Sequence, residues 1–189
     1  EYWKGPAKLD QIIFRLVEED ATKRLMLERG EAHVVHTLPT DMVEALRENP
    51  DIAIAEKPGI ETTYWAFNNQ VEPFSDPLVR QALSYAVDYD ALMANIVKDG
   101  GVQMRGPLPQ GLPAFDDTVM QYTRDPDKAK ALLAEAGHPD GFDTVTHYPV
   151  WRDLADIAIV LQANFADVGV NMELEEVPLG TLVELVVTG

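Results

Sequence analysis

Apolar residues recur at every second position in some stretches of this chain and at three-to-four-residue spacing in others, and the two kinds of stretch take turns. A period of two sends successive side chains to opposite faces of a strand, whereas a 3.6-residue period gathers them on one side of a helix. Their alternation commits the chain to α/β layers, a sheet covered by helices. The 189 residues suit one such domain, or two small ones sharing a sheet, since a domain takes roughly 100–200 residues.

Strands are expected at Leu9 to Val17, Val34 to Val35, Ile52 to Glu56, Thr62 to Phe67, Phe142 to His147 and Val170 to Glu175. Helices are expected at Asp20 to Arg29, Thr40 to Asn49, Tyr89 to Val97 and Asp153 to Val168, and from Leu179 onward. Gly30 reads as the residue that ends the first, because only glycine takes a left-handed backbone without a Cβ penalty. Two more helices mark their own starts. Asp76-Pro77 and Asp125-Pro126 each place an N-cap acceptor before a proline at the first helical position, where a missing N–H costs nothing. Val79, Ala82, Leu83, Ala86 and Val87 then form a stripe for burial, as do Ala129, Leu132, Leu133 and Ala136, closed by Gly137. Between them the loop Gly100 to Asp117 carries Gly106-Pro107-Leu108-Pro109-Gln110-Gly111, which continues neither regular structure and must run over the surface or line a cleft.

Composition removes several function classes. Fifteen Lys and Arg against 32 Asp and Glu give a net charge of −17, which argues against nucleic acid and anionic membrane surfaces, both of which need clustered basic residues. The 46 % apolar content is that of a folded chain. No run approaches the ~18 apolar residues of a membrane-spanning helix. Cysteine is absent, which removes disulfides, thiol catalysis and Cys-based zinc sites together. The chain starts at Glu1 without a basic-then-apolar leader, as expected of a mature or excised chain, and the helix interrupted at Gly189 leads us to expect truncation there.

Motifs of catalysis are missing: there is no G-x-S-x-G elbow, no G-x-x-x-x-G-K-[ST] loop and no H-E-x-x-H. His33 and His36 are three apart, which on a strand sends them to opposite faces and defeats joint chelation. His138 and His147 have no carboxylate or second histidine at ligand spacing, and read as solvated or loop residues. Carboxylates are plentiful but spread out, so a glycosidase-type pair is not visible in the linear sequence. Arg152 stands out. It follows Tyr148-Pro149-Val150-Trp151, after a strand and just before a helix, and ligands of open α/β sheets favour that edge. An arginine there, beside a tryptophan, can grip a carboxylate with two parallel hydrogen bonds; the alternative is a surface arginine paired with Asp153 or Asp156.

The order of motifs resembles the C-terminal lobe of the family-5 extracellular solute-binding proteins, the peptide/opine/nickel-type substrate-binding components of ABC importers. The likeness is carried by Glu1-Tyr2-Trp3-Lys4-Gly5, Gly30-Glu31, Phe67-Asn68 with Pro73-Phe74-Ser75-Asp76 and Val79-Arg80-Gln81-Ala82-Leu83, Gly106-Pro107-Leu108-Pro109, and the run Asp125 to Gly137. Most of these read as structural, with Asn68 and Arg80 tying strand to helix. The resemblance implies a type II periplasmic binding protein-like lobe, a mixed sheet flanked by helices and truncated at the C-terminus. On this reading 1–189 is most of the substrate-binding lobe, and the other lobe and the hinge return lie outside the chain.

The function implied is capture of a peptide-like or other carboxylate-bearing small solute outside the inner membrane and delivery to an ABC permease. A periplasmic location is implied, or an extracellular, membrane-anchored one in a Gram-positive organism, with a monomeric protein, no catalysis, no cofactor and no metal. In the dipeptide-binding branch an arginine within a Pro-Val-Gln-Arg-like segment grips the ligand's carboxylate. Pro149-Val150-Trp151-Arg152 matches that segment, so the resemblance makes Arg152 the ligand contact, with Trp151 and Tyr148 as apolar walls. Two departures are Asp153-Leu154-Ala155, where that branch has a Pro-Tyr-Asn-Pro-like stretch, and His33 in place of an Asp in the Gly-Glu-x-Asp segment. A sensor domain built on a binding-protein lobe and a carboxylate-based hydrolase are the competing readings.

Overall fold

The computed structural model describes residues 3, 5–56, 59–151 and 153–188. The chain divides into two compact units, Glu1–Ala55 and Glu56–Gly189. The first holds α1 (Asp20–Glu28) and α2 (Thr40–Arg47). Gly30 follows α1 at φ +71°, and the N–H groups of Gly30 and Glu31 return to Leu27 and Met26, closing the helix as the sequence predicts. Leu46 of α2 is fully buried.

The second unit holds α3 (Pro77–Ala86), α4 (Tyr89–Leu92), α5 (Pro126–Glu135), β1 (Phe142–Pro149), α6 (Leu154–Ala166), β2 (Val170–Val177) and α7 (Leu179–Thr188). Both Asp-Pro starts hold. Asp76 Oδ1 accepts the Leu78 N–H at 2.7 Å and Asp125 Oδ1 accepts the Lys128 N–H at 3.0 Å. The stripe of α3 packs on Ala129 and Leu133 of α5, on Leu161 and Phe165 of α6 and on Val170 and Met172 of β2, forming one core. Arg80 donates to the carbonyls of Phe74 (2.6 Å) and Ser75 (3.0 Å), tying α3 to the turn before it. Asn68 Oδ1 closes a local turn by accepting the Gln70 N–H.

Among the described residues the ladder is a parallel pair, β1 with β2, in register from Phe142 opposite Val170 to Pro149 opposite Val177. Parallel strands need a crossover, here α6. Gly141 and Gly169, at φ +79° and +89°, lead into the two strands with their backbones in contact. An aromatic series joins other segments to β1: Phe67 stacks on Phe74, which meets Phe142 edge-on, and His138 packs against the same ring.

The expected strands at Leu9 to Val17, Val34 to Val35, Ile52 to Glu56 and Thr62 to Phe67 carry no ladder. Alternation specifies the two faces of a strand and says nothing of its hydrogen-bonding neighbour, without which backbone groups gain nothing from being extended. Ile12, Phe14 and Leu16 accordingly remain exposed, Phe14 at 92 %. Residues 62–67 instead attach by side chains, Trp65 Nε1 donating to Thr146 Oγ1 of β1 at 2.8 Å. The helix expected over Tyr89 to Val97 also changes character, continuing after α4 as a π-helical turn, Met93–Val97. The Asn95 side chain donates to the Ala91 carbonyl, the acceptor that an α-helix reserves for the Asn95 N–H.

Among the described residues, one polar side chain is buried with the core. Asn164 of α6 is 8 % exposed and accepts the Asp88 N–H at 2.8 Å, joining α6 to the start of α4. No helix among the described residues is long and apolar enough to cross a membrane.

Candidate functional site

Because β1 and β2 run parallel and end in register, the segments leaving them gather at one edge of the sheet. The chain passes from Pro149 through Val150 and Trp151 into α6, and from Val177 through Pro178 into α7. The first N–H groups of a helix have no partner within it and carry the positive end of its dipole; at the start of α6 two carboxylates stand at that end, Asp153 at the N-cap and Asp156 in the first turn. Asp153, at the N-cap of α6, makes no side-chain capping bond. The Trp151 carbonyl accepts the Leu154 N–H at 3.2 Å, which turns the chain into the helix.

Two of the three predicted site residues belong to this edge. Tyr148 is half-buried, opposite Glu176 in the register. Trp151, in the turn that follows, is 46 % exposed. Arg152 lies outside the described residues. Tyr148 and Trp151 thus both fall at the carboxyl end of a parallel strand, and a helix start follows each strand of the pair.

A second concave feature occupies the Gly- and Pro-rich loop. Three hydrogen bonds clasp its ends: Gln103 Nε2 to the Tyr122 carbonyl (2.8 Å), Gln121 Nε2 to the Gln103 carbonyl (2.8 Å) and Arg105 Nη1 to the Val119 carbonyl (3.0 Å). Inside the clasp the chain reverses through Gly106, Gly111 and Ala114, all at positive φ. The loop thereby shapes a solvent-open hollow of about 180 Å3, with half-buried Arg105 and exposed Asp117 among its lining residues. Sequence reading identified the loop as surface or cleft lining but singled out neither charged residue.

The histidines divide. His147 Nε2 lies 2.9 Å from Glu175 Oε2. Linear spacing cannot show this pairing, and it corrects the reading of His147 as a solvated or loop residue: it stands on β1, and parallel register places Glu175 opposite it. His36 Nδ1 lies 2.7 Å from Thr37 Oγ1. No group of three metal-ligating side chains gathers among the described residues. Two ionisations are displaced. Burial, then the neighbouring Tyr122, pushes the Tyr89 hydroxyl up to about 12. The Thr118 hydroxyl and N–H hold the Asp116 carboxyl below its ordinary range.

Residues 1–187 match the family described as bacterial extracellular solute-binding proteins, family 5 Middle. The chain is 33 % identical over 175 residues to heme-binding protein A of Haemophilus influenzae, covering 90 % of this chain and 32 % of that protein. It is 32 % identical over 179 residues to the dipeptide-binding protein of Escherichia coli, covering 92 % of this chain and 33 % of the relative. With the glutathione-binding protein of Pectobacterium atrosepticum it shares 33 % identity over 181 residues, 95 % of this chain and 35 % of that one. Among solved structures, a periplasmic binding protein of Helicobacter pylori in complex with the peptide STSA superposes with a TM-score of 0.86 at 28 % identity, over 96 % of this chain and 35 % of the other. A Pseudoalteromonas dipeptide-binding protein in complex with Met-Leu gives 0.82 at 28 %, over 98 % and 38 %. The chain spans about a third of the length of these relatives. It belongs to the bacterial extracellular solute-binding proteins of family 5.

Proposed function

We propose that this chain is most of one lobe of the substrate-binding component of an ABC importer, and that the full-length protein captures a peptide-like or other carboxylate-bearing solute outside the inner membrane and hands it to the permease. The observation that carries this reading is the sheet edge at the end of β1, where the sequence runs Tyr148-Pro149-Val150-Trp151-Arg152. The relatives' names support the ligand class. A dipeptide, glutathione and heme differ in size and shape, yet each carries a free carboxylate.

In this reading the solute lies along the edge with its carboxylate on the Arg152 guanidinium and its body against Tyr148 and Trp151. A hinge motion then brings a second lobe over it. Closure excludes water, and the same charge pair is worth more in the lower dielectric. The protein acts as a monomer in the periplasm, or tethered outside the membrane of a Gram-positive cell, and turns nothing over. The isolated 189 residues bind weakly, since half the cleft is missing.

The test is calorimetry on the full-length protein with the ligand identified by mass spectrometry of what co-purifies. Arg152→Ala is expected to weaken binding of a carboxylate-bearing ligand by about tenfold or more, in line with roughly 1.5–3 kcal/mol for a hydrogen bond to a charged group. Unchanged affinity would remove Arg152 from the site. Micromolar binding by the isolated 189 residues, or turnover of the bound solute, would overturn the two-lobed receptor.

A further inference from the structure

We propose that the cavity inside the loop clasped by Arg105 and Val119 is a second binding site, for a free amino acid in its zwitterionic form with an apolar side chain. The loop has the form of an Ω-loop, a compact excursion whose ends meet and whose side chains pack on themselves. Three clasping hydrogen bonds join its ends.

Two opposite charges line it, half-buried Arg105 and exposed Asp117. Arg105 uses one guanidinium N–H on the Val119 carbonyl. An arginine has five, and the others have no partner among the described residues. The Asp117 carboxylate likewise has none, and it forms no ion pair with Arg105, although both line the same cavity of about 180 Å3. A cation and an anion held in one cavity but not joined call for a ligand that brings the opposite charge to each: a carboxylate for Arg105, an ammonium for Asp117.

The remaining lining sets the ligand's size and side chain. Met104, Leu108 and Phe115 form the apolar wall, and a methionine adapts to side chains of differing shape. The volume falls below the roughly 300–1,000 Å3 of sites for drug-sized molecules, which excludes a heme or a tripeptide and suits a single amino acid. Neither Tyr148 nor Trp151 lines this cavity, and the site does not rest on the function proposed above.

The experiment uses the full-length protein and L-methionine as the probe, titrated by calorimetry and by saturation-transfer NMR. Saturable binding is expected, with N-acetyl-L-methionine and L-methionine amide each binding at least roughly tenfold more weakly, because each lacks one charge. Asp117→Asn and Arg105→Gln are each expected to weaken methionine by a similar factor, while Arg152→Ala leaves it unchanged. Arg105→Gln also removes the bond to Val119. Asp117→Asn carries no such structural bond, and an unchanged unfolding midpoint establishes that it is folded. No saturable binding at millimolar methionine overturns the proposal. So does binding that survives Asp117→Asn, or binding that is lost in Arg152→Ala, which would move the ligand to the end of β1.

Discussion

Replacing Gly141 by alanine tests whether the start of the β1–β2 pair depends on two backbones touching. An added Cβ would lie 2.9 Å from Gly169 Cα and nearer still to its carbonyl carbon and oxygen. Those atoms are main chain and cannot rotate aside, so the strands must part next to their first paired residues, Phe142 and Val170, the latter fully buried. Two other glycines calibrate the effect. Gly137 has φ +88° with open space around its Cβ direction, and Gly169 has φ +89° with its nearest neighbour, the Asp140 carbonyl oxygen, at 3.4 Å. A left-handed backbone alone costs an L-residue about 1–2 kcal/mol, the whole expectation for Gly137→Ala and most of it for Gly169→Ala. Gly141→Ala adds the loss of about two ladder hydrogen bonds at roughly 0.5–1.5 kcal/mol each, bringing it to about 2–5 kcal/mol, a large part of a domain's stability. Urea unfolding of the full-length protein, followed by far-UV circular dichroism and compared at a common slope, measures all three. If Gly141→Ala falls within about 1 kcal/mol of Gly137→Ala, the close approach at Gly169 is not what requires glycine there, and the reasoning fails.

Asn164→Ala removes the only acceptor bonded to the Asp88 N–H among the described residues and should cost about 1–3 kcal/mol, the penalty of stranding a partly buried donor; a loss under about 0.5 kcal/mol would mean that water replaces it. Asp125→Ala and Asp76→Ala each delete a side-chain cap and should lower stability by about 1 kcal/mol apiece, additively in the double variant because they cap different helices. Tyr89, whose hydroxyl is raised to about 12 in the folded chain, keeps its proton where an unfolded tyrosine loses it near 10. Stability is therefore intact below about pH 10 and falls between about 10 and 12. The full linkage would be about 2.7 kcal/mol, and for a half-buried ring about 1 kcal/mol is expected. Tyr89→Phe should flatten that alkaline slope in urea titrations, and an unchanged slope would assign it to other groups.

Helices were legible and most strands were not, for a physical reason that individual residues make plain. A helix satisfies its own backbone, so Asp76-Pro77, Asp125-Pro126 and the stripe Val79, Ala82, Leu83, Ala86 and Val87 contain nearly all the information that α3 and α5 need, and all five stripe residues are buried. A strand is completed by a neighbour. Leu9 to Val17 alternates as well as Phe142 to His147 does, yet only the latter has a partner, delivered by α6 and by the glycine contact at 141 and 169. Periodicity cannot tell these cases apart. The π-helical turn after α4 escaped for a related reason, since it turns on where one amide side chain, that of Asn95, sends its hydrogen bond.

The candidate site divides along the same line. The segment Tyr148 to Arg152 could be read as an edge because its chemistry is contiguous: aromatic residues and a cation between one predicted strand and one predicted helix. The His147–Glu175 pair could not, because its partners meet only once the register of β1 on β2 is set. Arg105 and Asp117 form an intermediate case. Both fall within the loop that Gly106, Pro107, Pro109 and Gly111 announce, but their sharing a cavity depends on the closure at Val119 and Tyr122. Composition pointed the wrong way here as well. A net charge of −17 draws attention to carboxylates as a class, whereas the acidic surplus matters most where it fails to reach: a basic side chain without an acidic partner in such a chain is where an external carboxylate has least to displace.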